Sequence, residues 1–285
     1  MPDILTYDPE PRAANFTPPP LSCDSHVHVF GPAARFPYAQ GRGFTPVDAP
    51  KETLFALHRL LGIERCVIVQ SAVHGMDNRV VEDAIAAGGG RYLGIALAPA
   101  SVPDAELARL AAAGFRGVRF NFMAHLPGTP VDDVLALSRR LAPLGMHLQV
   151  HFESALVHTV GAALAASAVP VVIDHMGRVD AALGPDHADF MALCHLMANP
   201  LFRVKVSGVD RIATAGTYPQ GVALARRLVE SFADRCLWGS DWPPPNHTHV
   251  PDDAALLELL PEIAPDAGLR QRLLVDNPAR FYRFE

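Results

Sequence analysis

The chain has 285 residues, 49% of them hydrophobic, and 24 basic against 30 acidic side chains give a net charge of −6. That length can bury one large core, and the acidic balance argues against a nucleic-acid backbone as the main partner. No stretch approaches the roughly 18 apolar residues of a membrane span, so a membrane partner is not expected.

Met1 opens a segment without the basic region and apolar core of a secretory leader. The four cysteines show no paired ligand spacing and read as buried free thiols in a reducing cytoplasm. Pro9, Pro11, Pro18, Pro19 and Pro20 prevent a helix, so residues 1–20 are expected to form an extended arm packed on a domain of residues 21–285. A first strand is expected at 21–29. The loop at 30–50 is long, with Phe36, Tyr38 and Phe44 either walling a site or anchoring the loop.

Seven further short runs rich in Val, Ile and Leu follow at 65–70, 92–96, 117–120, 147–150, 171–173, 202–206 and 236–238. They lack sustained polar alternation, as strands covered on both faces do. Helical patterns lie between them at 51–61, 78–87, 104–112, 131–141, 153–166, 187–197, 220–232 and 252–260, with a terminal helix at 269–275. Strand–helix units repeated in this way predict an α/β fold, a (β/α)8 TIM barrel. An open doubly wound sheet is the alternative, but no glycine-rich phosphate loop follows the first strand.

In such a barrel the carboxyl ends of the strands converge on one mouth. His26 and His28, two apart on the first strand, can point the same way. Ser71 and His74 follow strand two, Arg119 and Asn121 lie on strand four, His151 on five and His175 on six. Ser207 and Arg211 follow strand seven and Asp241 follows eight. So many polar and ionisable groups at one end are costly unless paired or used.

His26, His28, His175 and Asp241 offer four N/O ligands, enough for one divalent metal such as zinc or manganese. They equally suit a metal-free site in which charged imidazoles hold the substrate and Asp241 activates water as general base. Arg119 and Arg211 together match a polycarboxylate or other small dianion; the alternative is an internal salt bridge. His125 and His151 are weaker candidates for binding a carboxylate. Asp174 is expected to face the helices, with Arg178 neutralising it, and His247 and His249 to lie at the surface or behind the site.

The motifs Cys23-Asp24-Ser25-His26-Val27-His28, Gln70-Ser71-Ala72-Val73-His74-Gly75, Gly117-Val118-Arg119-Phe120-Asn121, Asp174-His175-Met176-Gly177-Arg178 and Asp241-Trp242-Pro243 occur in that order. From about residue 21 onward the chain resembles the amidohydrolase superfamily, in the lactonase branch of the 2-pyrone-4,6-dicarboxylate lactonases.

The resemblance implies hydrolysis of a small carboxylated lactone, with Asp241 as base and His26, His28 and His175 around the scissile carbonyl. It also implies that Ser71, Arg119, Arg211 and Asn246 hold the substrate carboxylates and that no metal is required. His125 stands where the pattern offers a second arginine, and His151 where it offers a tyrosine. Those departures keep an aldarolactone hydrolase or isomerase and a muconolactone-type hydrolase open, with a metal-dependent decarboxylase or a non-catalytic carboxylate-binding protein as more distant alternatives.

Overall fold

The computed structural model describes residues 3–284, apart from 125, 127, 214–217 and 246–248. His125, Asn246 and His247 therefore lie outside the described residues. Eight strands form one parallel sheet in chain order: β1 (Cys23–Val27), β2 (Arg65–Val69), β3 (Tyr92–Leu97), β4 (Phe115–Phe122), β5 (His147–Phe152), β6 (Val171–Ile173), β7 (Phe202–Lys205) and β8 (Cys236–Leu237). Backbone bonds from Ser25 N to Trp238 O and from Asp241 N to His26 O, each 2.8 Å, lay the end of β8 along β1. This is the (β/α)8 barrel that the pattern of apolar runs predicts.

The period of two along each strand divides the core into two parts. Ile68, Val118, Val150, Ile173 and Val204 pack outward in the large cluster beneath the helices. Val67, Val69, Ile95, Val172 and Leu237 pack inside the ring with Tyr282, which is fully buried. Burying each such aliphatic side chain contributes about 1.5–3 kcal/mol. Polar residues at inward positions therefore need partners, and the site is built from those residues.

The helices α1 (Lys51–Leu61), α2 (Arg79–Ala87), α3 (Asp104–Ala112) and α4 (Val131–Leu141) occupy the spans that their hydrophobic spacing predicts. On α1, Leu54, Leu57 and Leu61 face the core, and Gly62 at φ 73° ends the helix in the left-handed conformation that glycine adopts without strain. The span 153–166 differs from the single helix expected. It is a 3-10 turn Ser154–His158, a four-residue helix α5 (Val160–Ala163) and a second 3-10 turn Leu164–Ala166. Thr159, at φ −116°, breaks the helical path. Gly161 lies so close to the next helix that a Cβ there would stand 2.7 Å from Leu196 Cδ1.

Next come α6 (Ala188–Ala198), α7 (Pro219–Ser231) and α8 (Asp253–Glu258). The terminal stretch is a π-turn, Arg272–Asp276, between two short helices, Ala267–Gln271 and Asn277–Tyr282. The N-terminal segment crosses the barrel surface. Ile4 bridges to Pro46, and Arg12 binds Asp252 and Glu258 at 2.8 Å each. No helix of the described residues is long and apolar enough to cross a membrane.

Candidate active site

The four residues nominated as a metal or acid–base cluster meet. His26 and His28 are fully buried at the end of β1, where a register shift between Asp24 and Val27 accompanies their turn into the barrel. Asp241 sits just past β8 at φ 66°, a conformation that costs an aspartate energy and is retained where surrounding structure enforces it. Its Oδ1 lies 3.6 Å from His26 Nε2, 3.4 Å from His28 Nε2 and 3.6 Å from His175 Nε2. Its Oδ2 lies 2.9 Å from Arg211 Nε, the distance of an ion pair, although the donor is not aligned for a hydrogen bond.

Burial alone would raise the Asp241 pKa. Arg211 and the imidazoles of His26 and His28 outweigh it and hold the group well below the usual carboxylate range. Asp241 is therefore an anion. Burial, reinforced by Lys205, drives His26 down to about 3. Burial also lowers His175, with His26 and Arg211 adding to the effect.

Each imidazole is held by its Nδ1. His28 Nδ1–H donates to Val69 O at 2.7 Å, and His175 Nδ1 stands 2.9 Å from Ser207 Oγ. His26 Nδ1 lies 3.3 Å from both Asp174 Oδ1 and Lys205 Nζ. The three Nε2 atoms and Asp241 Oδ1 are buried without a hydrogen-bond partner. Four converging, unsatisfied N/O atoms fit a divalent cation in ligand type and number. His26, His28 and Asp241 lie close enough together to share one ion, and so, as a second grouping, do His26, Asp174 and His175. The second fits less well, because Asp174 Oδ1, although it lacks a hydrogen-bond partner, stands 3.7 Å from the Lys205 ammonium, which opposes a second cation. Asp174 Oδ2 accepts from Arg119 Nε at 2.8 Å and from Gln149 Nε2 at 3.2 Å.

Asp174 corrects the expectation that it faces the helices. On β6, Val172 points inward and Ile173 outward, so Asp174 turns inward by the same alternation. His175 then joins it inside because the chain leaves the strand path there, at φ 48°. Asp174 is fully buried and surrounded by His26, Arg119 and Lys205. Burial would raise its pKa, but those three neighbours carry it well below the usual range. Arg178 is not its counter-ion. It lines the cavity described next, where burial and the nearby Arg211 lower its pKa.

Above the cluster opens a cavity of about 650 Å³. Ser71, Arg119, His151 and Arg211, all nominated from the sequence, line it, as do Asn121 and Phe44. Among the described residues its walls carry four guanidiniums, Arg42, Arg119, Arg178 and Arg211, against one carboxylate, Asp210. His151 lies edge-on to His175, with ring centroids 5.3 Å apart. Its Nε2 is buried and unpartnered, and burial followed by Arg119 lowers its pKa well below the ordinary value.

Asp241 and the three inner imidazoles form a layer beneath the cavity rather than part of its wall, with Arg211 belonging to both layers. Both arginines have internal partners as well as a place at the cavity: Arg119 with Asp174, and Arg211 with Asp241 and the Pro245 carbonyl.

His74 has a different task. Its Nδ1–H donates to Pro37 O, and its Nε2 accepts from Gly31 N. Tyr38 packs on the His74 ring and donates to Asp48. Phe36 is in the core. Phe36 and Tyr38 thus anchor the loop, whereas Phe44 walls the cavity. His249 also lines the cavity and stands 3.3 Å from Asp210 in the same wall.

Reading the sequence missed Gln149 and Lys205 and gave Arg178 a different task. A signal for the first two existed: Gln149 and Lys205 are polar residues at alternate positions of strands otherwise expected to be covered on both faces. All four cysteines are free thiols.

Comparison with known proteins agrees with this architecture. The chain is 42% identical to a 2-pyrone-4,6-dicarboxylate hydrolase of Comamonas testosteroni, across 99% of this chain and 96% of that one. It is 38% identical to a 4-sulfomuconolactone hydrolase of Hydrogenophaga intermedia, across 94% and 90%. Among solved structures, a Pseudomonas putida protein named as a 2-pyrone-4,6-dicarboxylic acid hydrolase superposes with a TM-score of 0.82 at 30% identity, covering 93% of this chain and 98% of its own. The amidohydrolase family model matches residues 23–284. With that match spanning the whole barrel and its strand-end residues, the chain belongs to the amidohydrolase family, in its lactonase branch.

Proposed function

We propose that the protein hydrolyses a small anionic lactone of the 2-pyrone-4,6-dicarboxylate type. The observation that carries this reading is a buried aspartate shared by three imidazoles and an arginine, directly beneath a cavity whose walls are rich in guanidiniums. Guanidinium forks suit carboxylates and hold them in a fixed orientation. Arg119, Arg178 and Arg211 bind the substrate carboxylates in this scheme, with Ser71, His151 and, outside the described residues, His125 and Asn246 completing the cradle.

Asp241 takes a proton from water as the oxygen attacks the lactone carbonyl. His26 and His175, presenting Nε2–H donors, stabilise the oxyanion, and His28 packs beside Asp241. The ring C–O bond then breaks, and the leaving oxygen recovers the proton from Asp241. The product carries one more carboxylate than the substrate. A divalent cation, when held by His26, His28, His175 and Asp241, would supply Lewis-acid polarisation of the carbonyl.

The 4-sulfomuconolactone relative supports a second reading, since a guanidinium-lined cavity accepts a sulfonate as readily as a carboxylate. The two are separated by incubating the purified protein with each lactone in 18O-labelled water. Ring opening with one labelled oxygen in the new carboxylate supports hydrolysis. A rearranged lactone without label would indicate an isomerase, and release of carbon dioxide a decarboxylase. Binding of a pyrone dicarboxylate with no product at all would contradict an enzymatic role.

We also read residues 1–20 as an arm on a domain of 21–285. Four free cysteines support a reducing cytoplasm as its location.

A further inference from the structure

Beneath the imidazoles lies a charged group that the proposed reaction does not use. Lys205, the last residue of β7, has no exposed surface. Its Nζ donates to Gln149 Oε1 at 2.8 Å and stands 3.3 Å from His26 Nδ1 and 3.7 Å from Asp174 Oδ1. A buried ammonium is costly unless hydrogen bonds and an opposite charge hold it, so its partners matter.

At stake among them is the placement of one hydrogen. A neutral imidazole carries a single N–H. In His28 it is on Nδ1, because the Val69 carbonyl can only accept, and Nε2 is left with a lone pair. His175 meets a hydroxyl, which can donate or accept. His26 has two partners that make opposite demands at the same 3.3 Å. Asp174 Oδ1 is an acceptor and calls for a hydrogen on Nδ1. Lys205 is a donor and calls for a lone pair there. The first arrangement bares Nε2 and makes His26 a metal ligand backed by a carboxylate, the usual support of metal-binding histidines. The second puts the hydrogen on Nε2, which faces Asp241 and the reaction centre.

We propose that Lys205 is a positioning residue that keeps the His26 hydrogen on Nε2, making the ring a hydrogen-bond donor to the lactone carbonyl and weakening divalent-metal binding by His26, His28, His175 and Asp241. Its cationic charge acts in the same direction, because a positive group beside the ligand ring opposes a second positive ion. The inference rests on the hydrolytic reading for the task of His26, but neither of its tests needs a substrate.

The first test uses the wild-type protein, stripped of metal by chelator and labelled with 15N at its imidazoles. The His26 signal is assigned by its loss in His26→Gln. An Nε2–H ring is expected, and an Nδ1–H ring overturns the proposal.

The second test compares zinc affinity, by competition with a chromogenic chelator, between wild type and Lys205→Met. The variant keeps the length and removes the donor, while Asp174 retains Arg119 and Gln149. Affinity about tenfold tighter or more is expected, the scale on which partners of ligating histidines act; equal or weaker affinity overturns the proposal. Should Lys205→Met not fold, the wild-type tautomer still decides. A protein that passes both tests yet opens no lactone keeps the inference and loses the functional reading.

Discussion

Arg211 Nε stands 2.9 Å from Asp241 Oδ2, and that pair joins the open cavity to the buried imidazole layer below it. The arginine is thus a wall of the binding space and the counter-charge of the base. Replacing it by methionine removes a large share of what keeps Asp241 ionised, since burial alone drives the carboxyl the other way. Arg211→Met should lower kcat/KM by about a hundredfold or more, about 3 kcal/mol of transition-state stabilisation. The acid limb of the rate profile should move to higher pH, because the carboxylate then protonates earlier as pH falls. Steady-state rates from pH 4 to 8 check this. An acid limb left in place would remove Arg211 from the ionisation of Asp241.

Arg178 belongs to the cavity wall rather than to Asp174, so its loss should be felt in binding. For Arg178→Gln we expect KM for a dianionic lactone to rise roughly tenfold or more, with kcat changed much less, in line with about 1.5–3 kcal/mol for a charge-assisted hydrogen bond. The rise should be smaller for a monoanionic analogue. Initial-rate kinetics on the two substrates check this.

Buried histidines make acid stability a further test. Burial pushes His26 and His147 down to about 3 and lowers His151 and His175 as well. In the unfolded chain these rings protonate near their ordinary 6.5, while the folded chain keeps them neutral. The unfolded state therefore binds more protons between about pH 6.5 and 3, and stability is present above that window and lost as pH falls through it. Urea midpoints should drop steadily from pH 7 to 4.5. His147→Phe, remote from Asp241 and packed against Phe281 and Tyr282, should make that decline shallower. An unchanged slope would contradict a neutral His147.

Much of this was legible in the sequence, for physical reasons. Strands covered on both faces leave unbroken runs such as Val67-Ile68-Val69, and those runs located the barrel. His26 and His28 were readable because a two-residue spacing at a strand end turns both rings the same way.

What stayed hidden depends on contacts across the fold. The helix expected at 153–166 breaks at Thr159, just before Gly161 packs against Leu196 of the following helix. Asp174 was assigned to the wrong face because His175 takes a left-handed backbone, which local pattern does not reveal. Lys205 and Gln149 drew no notice on their strands; their meaning appears once the ring closes and places them opposite one another, 2.8 Å apart.

The most direct test of the central claim is Asp241→Asn assayed for both turnover and binding of the same lactone. Loss of detectable ring opening, with the dissociation constant within a few-fold of wild type, is the result expected of a proton acceptor beneath an intact arginine-lined cavity. Ring opening at near wild-type rate would contradict the claim that Asp241 activates the water.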